Sequence, residues 1–334
     1  MRNFFPLDAV VLSSSALTAA LGAAYFPGRC DVLCRLHYRS IHDTYRVTAG
    51  SRAYYYKVYR LNLRTPAEIA AEAALLVHLA ECGVPAVRPV AAADGGYVLT
   101  HPTPIGDRYG VLYEDCGGEA FDEADETREI NEKLGRYLAS MHAALDAFGD
   151  TYTRKPIDET TFIDESMDFA RGFAELYPID ITFLEAVASK LKAKLATAPR
   201  SAPAFGLCHG DIYAGNMRIT DGEPLLFDFD FMGSGWRCYD LTMYTTPFSL
   251  ALDPEAREMK LRRRAHLLAG YESVRPLSNW EIQSIEVFVP FRRIFNIGTL
   301  YISMANTWGD DTAYKTTSSD IENLKKWLDL NPIF

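Results

Sequence analysis

Five side chains in the stretch LCHGDIYAGNMRITDGEPLLFDFDF, residues 207–231, are of types that do chemistry together: His209, Asp211, Asn216, Asp228 and Asp230. Asp221-Gly222 signals a hairpin turn between strands at 217–220 and 225–231. Asn216 and Asp228 each lie six residues from Gly222, so the hairpin brings them together at its open end, with Asp211 entering just before. On the second strand Leu225, Phe227, Phe229 and Phe231 share one face, and Leu226, Asp228 and Asp230 share the other. Burial of the apolar face aims both carboxylates to the opposite side. Alone, they would read as the solvated face of a half-exposed strand. With Asp211 and Asn216 converging on them, they form a hard-oxygen set suited to Mg2+, an ion that keeps several waters and binds phosphates.

A second anomaly lies in TPAEIAAEAALLVHLAECG, residues 65–83. Thr65 caps this helix, Pro66 suits its first position, Glu68 completes a capping box, and Gly83 with Pro85 ends it. Glu72 falls within the stripe of Ile69, Leu76 and Leu79 that faces protein, where a carboxylate needs a partner. Lys57, central in YYYKVYR, is the candidate; a Glu72 at the stripe's edge, reaching water, is the alternative.

The elements that must position these groups fall into two halves. A short helix from about Ser15 to Pro27-Gly28 leads into strands over residues 32–60, turning at Ala49-Gly50-Ser51. After the capped helix, residues 95–115 read as two strands joined by a Pro/Gly loop. Beyond residue 116 helical periodicity dominates, with Ile130, Leu134, Leu138, Met141 and Leu145 on one stripe and further helical texture over 164–198 and 255–305. The expected fold class is α+β: a β-rich domain over 1–115 with one key helix, then a mainly helical domain over 116–334 that holds the hairpin.

Composition bounds the partners. A chain of 334 residues with a net charge of −10 is poorly suited to broad binding of nucleic acid or anionic membrane. No segment has about 18 uninterrupted apolar residues, and the N-terminal apolar run is broken by Asp8 and Ser13–Ser15, so neither a span nor a secretory leader is expected. Six scattered cysteines without paired metal spacing fit reduced thiols and a cytoplasmic setting; a Cys30–Cys34 pairing is a minor alternative.

Together HGDIYAGN, the following FDFD, Lys57 and Glu72 resemble the aminoglycoside phosphotransferase/choline kinase-like family, which shares the protein-kinase fold. A kinase places a catalytic Asp, four residues, a metal-binding Asn and then a strand Asp in this order. The resemblance spans residues 30–305 in outline and implies a bilobal fold, a nucleotide-binding N-lobe and a C-lobe with the catalytic loop and metal site. It implies Asp211 as catalytic base, Asn216 and Asp228 as Mg2+ ligands, Lys57 on the α/β-phosphates of ATP and Glu72 holding Lys57. VLYEDC falls at the hinge, where Glu114 and Cys116 would meet adenine through their backbone. His209 is expected to brace the loop; Asp230 binds a second metal, orients substrate or hydrogen-bonds locally. Locally the chain is similar to the stress-response kinase and type II homoserine kinase branches.

Two departures are visible. RSIHDTYRV, residues 39–47, occupies the nucleotide-loop position without glycine, and the metal strand reads DFD where kinases have DFG. Asp240 in CYDLTMY is expected to support the loop or cap a helix, and His142 to be a satisfied core histidine. The acidic run 119–132 reads as a solvated helix start. Core packing is the favoured reading of Tyr213, Trp236 and Trp308 over a place in an acceptor pocket. The expected function is Mg2+- and ATP-dependent phosphorylation of a small-molecule hydroxyl. A protein Ser/Thr kinase and a non-catalytic nucleotide-binding protein are the alternatives, and oligomeric state is not readable from the sequence.

Overall fold

The structure, a computed structural model, describes residues 10–121, 127–149, 154–245, 250–303, 305 and 309–334. Trp308 and part of the acidic run therefore lie outside the described residues, as does the extreme N-terminus. The chain divides into two compact units: Met1–Glu119 with Phe148–Thr153 and Leu225–Phe227, and the remainder.

The first unit is built on strands β1, Val32–Arg39, β2, Asp43–Ala49, β3, Arg52–Val58, β4, Val98–His101, and β5, Arg108–Glu114, which form one antiparallel sheet in the order β1-β2-β3-β5-β4. Gly50 turns β2 into β3 at φ +64°, a backbone angle that favours glycine. Helix α1, Ser14–Tyr25, is capped by Ser13 and buries Leu17 and Leu21 against Tyr45, Val47, Tyr56 and Val58. That packing fixes one sheet face as core, so Arg46 and Lys57, which alternate with those residues, take the other. Helix α2, Pro66–Glu81, carries the expected capping box at Thr65 and Glu68. Cys30 and Cys34 are both free thiols, the first exposed and the second buried.

The second unit is mainly helical. Helix α3, Arg128–Asp146, is one of its principal supports, followed by α4, Glu165–Ala174, and α5, Ile181–Leu195. A two-residue strand β6, Glu119–Ala120, belongs to the small sheet of the hairpin, whose arms are β8, Met217–Thr220, and β9, Glu223–Leu226. Strands β7, Phe205–Cys208, and β10, Gly233–Trp236, pair antiparallel with Cys208 opposite Gly233. Helices α6, Arg237–Thr245, α7, Pro254–Glu272, α8, Asn279–Ser284, α9, Phe288–Phe295, and α10, Asp310–Leu330, complete the unit, with a π-helical turn at Asn296–Ile302 after α9. Trp236 is fully buried, so it belongs to the core. Among the described residues no helix is long and apolar enough to cross a membrane.

The hairpin's second arm is shorter than its sequence suggests. The strand stops at Leu226, Asp228 turns into the left-handed region at φ 63° and ψ 67°, and Phe229–Phe231 form a 3-10 turn. An aspartate tolerates that region better than most residues, and the turn ends the two-residue alternation. Leu226, Phe229 and Asp230 are buried, whereas Leu225, Phe227 and Phe231 are only half-buried. The two carboxylates therefore do not share one strand face.

Close approach of α3 and α7 rests on two glycines. A Cβ on Gly135 would lie 2.1 Å from the Leu267 carbonyl oxygen, and one on Gly270 would lie 2.0 Å from that of Glu132. Replacing a mid-helix glycine by alanine normally gains up to about 1 kcal/mol. Here overpacking against backbone reverses the sign, and Gly135→Ala and Gly270→Ala are each expected to cost about 1–3 kcal/mol in urea unfolding.

Candidate active site

In the second unit, the β7–β10 pairing decides which segments meet. The chain leaving β7 carries His209, Gly210 and Asp211, and the chain entering β10 carries Asp228 to Met232, so the register of Cys208 with Gly233 sets them side by side. The approach is close: a Cβ on Gly210, whose φ is +85°, would lie 2.1 Å from the Phe231 carbonyl oxygen. No larger residue fits between His209 and Asp211.

The loop is held from behind by Asp240 of α6. Its carboxylate accepts from the His209 N–H at 2.8 Å and the Gly210 N–H at 2.9 Å, and lies 3.0 Å from His142 Nε2. His142 Nδ1 in turn lies 2.8 Å from the Tyr271 hydroxyl of α7. All four ligating atoms of His142 and Asp240 are thus spent on protein. The grouping of His142, Asp240 and Cys208, close enough to hold a metal, is better described as a satisfied core network. The loop-supporting reading of Asp240 and the core reading of His142 agree with this geometry. Burial pushes the Asp240 carboxyl up, but the His142 hydrogen bond and the nearby His209 together hold it below its usual range. His209 turns inward: its Nδ1 accepts from the Asp211 N–H at 3.2 Å and its ring packs 4.3 Å from that of Phe229. That is the geometry of a brace.

Asp211 is gripped from two sides. Arg292 of α9 donates to its Oδ1 at 2.8 Å, and Asn216 Nδ2 donates to its Oδ2 and to its backbone oxygen, each at 3.0 Å. Arg292 also donates to the Gly210 carbonyl at 3.0 Å and to the Tyr239 hydroxyl at 2.8 Å. Burial raises the Asp211 carboxyl above its ordinary range, Arg292 opposes the rise, and nearby Asp228 adds to it. The Asn216 nitrogen is committed to the loop, so its oxygen is the atom suited to a cation. With Asp228 this makes a small set of hard oxygen donors beside Asp211, which fits a divalent ion. Asp230 is only 2% exposed and pairs with Arg154, whose guanidinium reaches its carboxylate at 3.3 Å and also its carbonyl. Of the three roles open to Asp230, local bonding is the one with a partner in place.

The sequence reading missed Arg292 and Arg154. The signal for Arg292 was present in FVPFRRIF, where two arginines interrupt an apolar helix and a buried charge needs a partner. Nothing in the sequence around Arg154 pointed 76 residues downstream to Asp230.

In the first unit, Lys57 Nζ lies 3.6 Å from Glu72 Oε1, and the Tyr59 hydroxyl donates to Glu72 Oε2 at 2.9 Å. Lys57 also sits 4.7 Å over the Tyr59 ring. Glu72 is 1% exposed, which excludes the solvent-edge reading. At the end of β5 the Glu114 N–H is committed to the Arg88 carbonyl at 2.9 Å, so what Glu114 has to offer a base edge is its own carbonyl. Cys116 is half-buried and is followed by Gly117 and Gly118, both at positive φ.

The sequence model of the phosphotransferase enzyme family matches residues 35–277. An uncharacterized protein of Deinococcus radiodurans is 31% identical over 309 residues, covering 92% of this chain and 87% of that protein. Amicoumacin kinase of Bacillus subtilis is 26% identical over 203 residues, 60% of this chain and 58% of that enzyme. Among solved structures, an amicoumacin kinase in complex with AMP-PNP, Ca2+ and Ami superposes with a TM-score of 0.77 at 22% identity, covering 96% of this chain and 95% of that one. The fold is therefore protein-kinase-like, of class α+β, as the sequence led one to expect.

Two outcomes are expected from this geometry. Arg292→Met leaves the half-buried Asp211 carboxylate without its guanidinium partner and should lower stability by about 2–3 kcal/mol, read from denaturant midpoints. Burial, opposed by the Asp240 hydrogen bond, lowers the His142 imidazole below its ordinary value. The unfolded chain then binds the proton more readily, so this contribution is complete above pH about 6.5 and is lost as pH falls through the lower folded value. Unfolding midpoints measured between pH 7.5 and 5.5, about one unit either side of the ordinary imidazole value, should fall more steeply for the natural protein than for His142→Asn.

Proposed function

Because this chain belongs to the phosphotransferase enzyme family, we propose that it moves the γ-phosphate of ATP to a hydroxyl of a small-molecule acceptor, using Mg2+ and with Asp211 as base. It is a phosphotransferase, and kinase relatives such as amicoumacin kinase favour a small acceptor over a protein. The observation that carries the reading is the grip on Asp211 and Asn216. One carboxylate oxygen is turned to Arg292, and the Asn216 nitrogen is folded onto the loop, leaving an amide oxygen for a metal ion.

In this reading Asp211 orients the acceptor hydroxyl and takes its proton late, once bond formation to phosphorus has drawn electron density from the attacking oxygen and made its proton acidic. Asp240 and His209 keep the loop backbone fixed, so Asp211 need not reorganise during the reaction. Lys57 binds the α/β-phosphates, with Glu72 and Tyr59 setting its position. The Glu114 carbonyl and the Cys116 backbone bind the adenine edge. Asn216 and Asp228 would hold Mg2+, which when bound neutralises phosphate charge. Asp230 acts indirectly, keeping the turn around Asp228 in place through Arg154.

Purified protein with ATP, Mg2+ and a panel of hydroxylated metabolites and antibiotics tests this by mass spectrometry. A phosphorylated acceptor is expected, with turnover about 10²–10⁴-fold lower for Asp211→Asn. Undiminished turnover in that variant would remove Asp211 from the chemistry. Phosphate found only on protein Ser or Thr would replace the small acceptor with a protein one.

A further inference from the structure

The segment RSIHDTYRV has no glycine; residues 43–47 already belong to β2, so Ser40, Ile41 and His42 alone connect the two strands at the place where kinase-type folds close over nucleotide phosphates. Its tip is tied down by side chains. Asp43 is 4% exposed and holds both Arg39, at 2.8 Å, and Arg108, at 3.1 Å, while the Ser40 N–H donates to the His42 carbonyl at 3.0 Å. A cradle of glycine N–H groups is not what such a loop offers to an anion.

The same two strands carry an unexplained charge pair. Arg35 of β1 and Arg46 of β2 are direct cross-strand partners in the sheet register. Side chains so placed are about 4.5–5.5 Å apart at Cβ, and like charges there repel. Both are exposed, and among the described residues neither makes a hydrogen bond or an ion pair. Two solvated arginines are common on a protein surface, so the face they occupy decides the matter. Tyr45 and Val47, on either side of Arg46, are fully buried on the α1 face, as are Tyr56 and Val58 on either side of Lys57. Arg46 therefore shares its face with Lys57. The register pairs Arg46 with Tyr55 and Thr44 with Lys57, one two-residue step apart, or about 6.8 Å along the strand. A guanidinium on its long stem covers much of that step.

We propose that Arg35 and Arg46 form an anion-binding pair for the polyphosphate of the bound nucleotide, supplying from side chains what the glycine-free loop does not supply from its backbone. The inference rests on the nucleotide reading of Lys57 given above. Guanidinium groups suit the task, since each presents parallel N–H donors to phosphate oxygens. The ligand class is a nucleoside di- or triphosphate; a nucleoside or monophosphate offers too little charge for both groups. The repulsion between the two arginines in the free protein is relieved when the anion binds.

Calorimetric titration of the full chain with ATP, ADP, AMP and adenosine tests the pair. Arg35→Gln and Arg46→Gln should each weaken ATP and ADP by about tenfold, leave adenosine and AMP within about twofold, and leave the melting temperature unchanged or raised. Arg46→Lys, which keeps the charge but not the parallel donors, should lose less ATP affinity than Arg46→Gln without matching the natural protein. Unchanged ATP affinity in both glutamine variants would overturn the proposal, as would equal losses for ATP and adenosine. Lys57→Ala is the control for the underlying reading: if it weakens ATP while the arginine variants do not, only the pair is wrong. If Lys57→Ala also binds ATP normally, the nucleotide reading itself fails.

Discussion

The buried carboxylate of Asp240 is the constraint on which the catalytic half of the molecule depends. It accepts two backbone N–H groups from successive residues of the loop and faces a histidine that is itself bonded to a tyrosine on another helix. A charge in that position is costly unless every lone pair finds a donor, and here the loop supplies the donors. The dependence runs both ways. The loop has one backbone path because Asp240 is there, and Asp240 is tolerated in the core because the loop closes over it. α3, α6 and α7 are joined through this one carboxylate.

From that fixed loop the rest of the site is built by short polar reaches. Arg292 ties Asp211 to the Gly210 carbonyl and to Tyr239, so one helix sets side chain and backbone together. Asn216 closes the turn by donating to both the carboxylate and the carbonyl of Asp211. Phosphoryl transfer asks little covalent chemistry of a protein and much positional accuracy. The Asp211 carboxylate, whose two oxygens are oriented by different elements, has that accuracy. The left-handed backbone at Asp228 turns the chain out of the strand directly before the buried Phe229 and Asp230.

The first unit solves a different problem, the placing of a lysine in a largely apolar sheet. Lys57 is almost buried, and its charge is supported by Glu72, which Tyr59 holds in turn. The exposed arginines on the same face have no such support. A buried cation beside a counter-ion is held in one place, whereas solvated cations on long stems have rotamers to choose among.

The sequence by itself determined the elements and much of the chemistry. The capping box at Thr65, the turn at Asp221-Gly222 and the apolar periodicity of α3 are local signals, set by residues within a few positions of each other. The spacing of Asp211, Asn216 and Asp228 was likewise readable, as was the need of Glu72 for a partner near Lys57. What only the tertiary structure decided was where long-range donors and acceptors meet. Arg292 lies 81 residues beyond Asp211, Arg154 lies 76 before Asp230, and neither pairing leaves a periodic trace in the chain. The alternation in LLFDFDF is the pattern of a continuous strand, and side-chain pattern is the only local signal the segment carries. Close packing of Gly210 against Phe231 and pairing of β7 with β10 bend the chain there instead. Local pattern sets what a segment prefers, and contacts from distant elements choose which preference is kept.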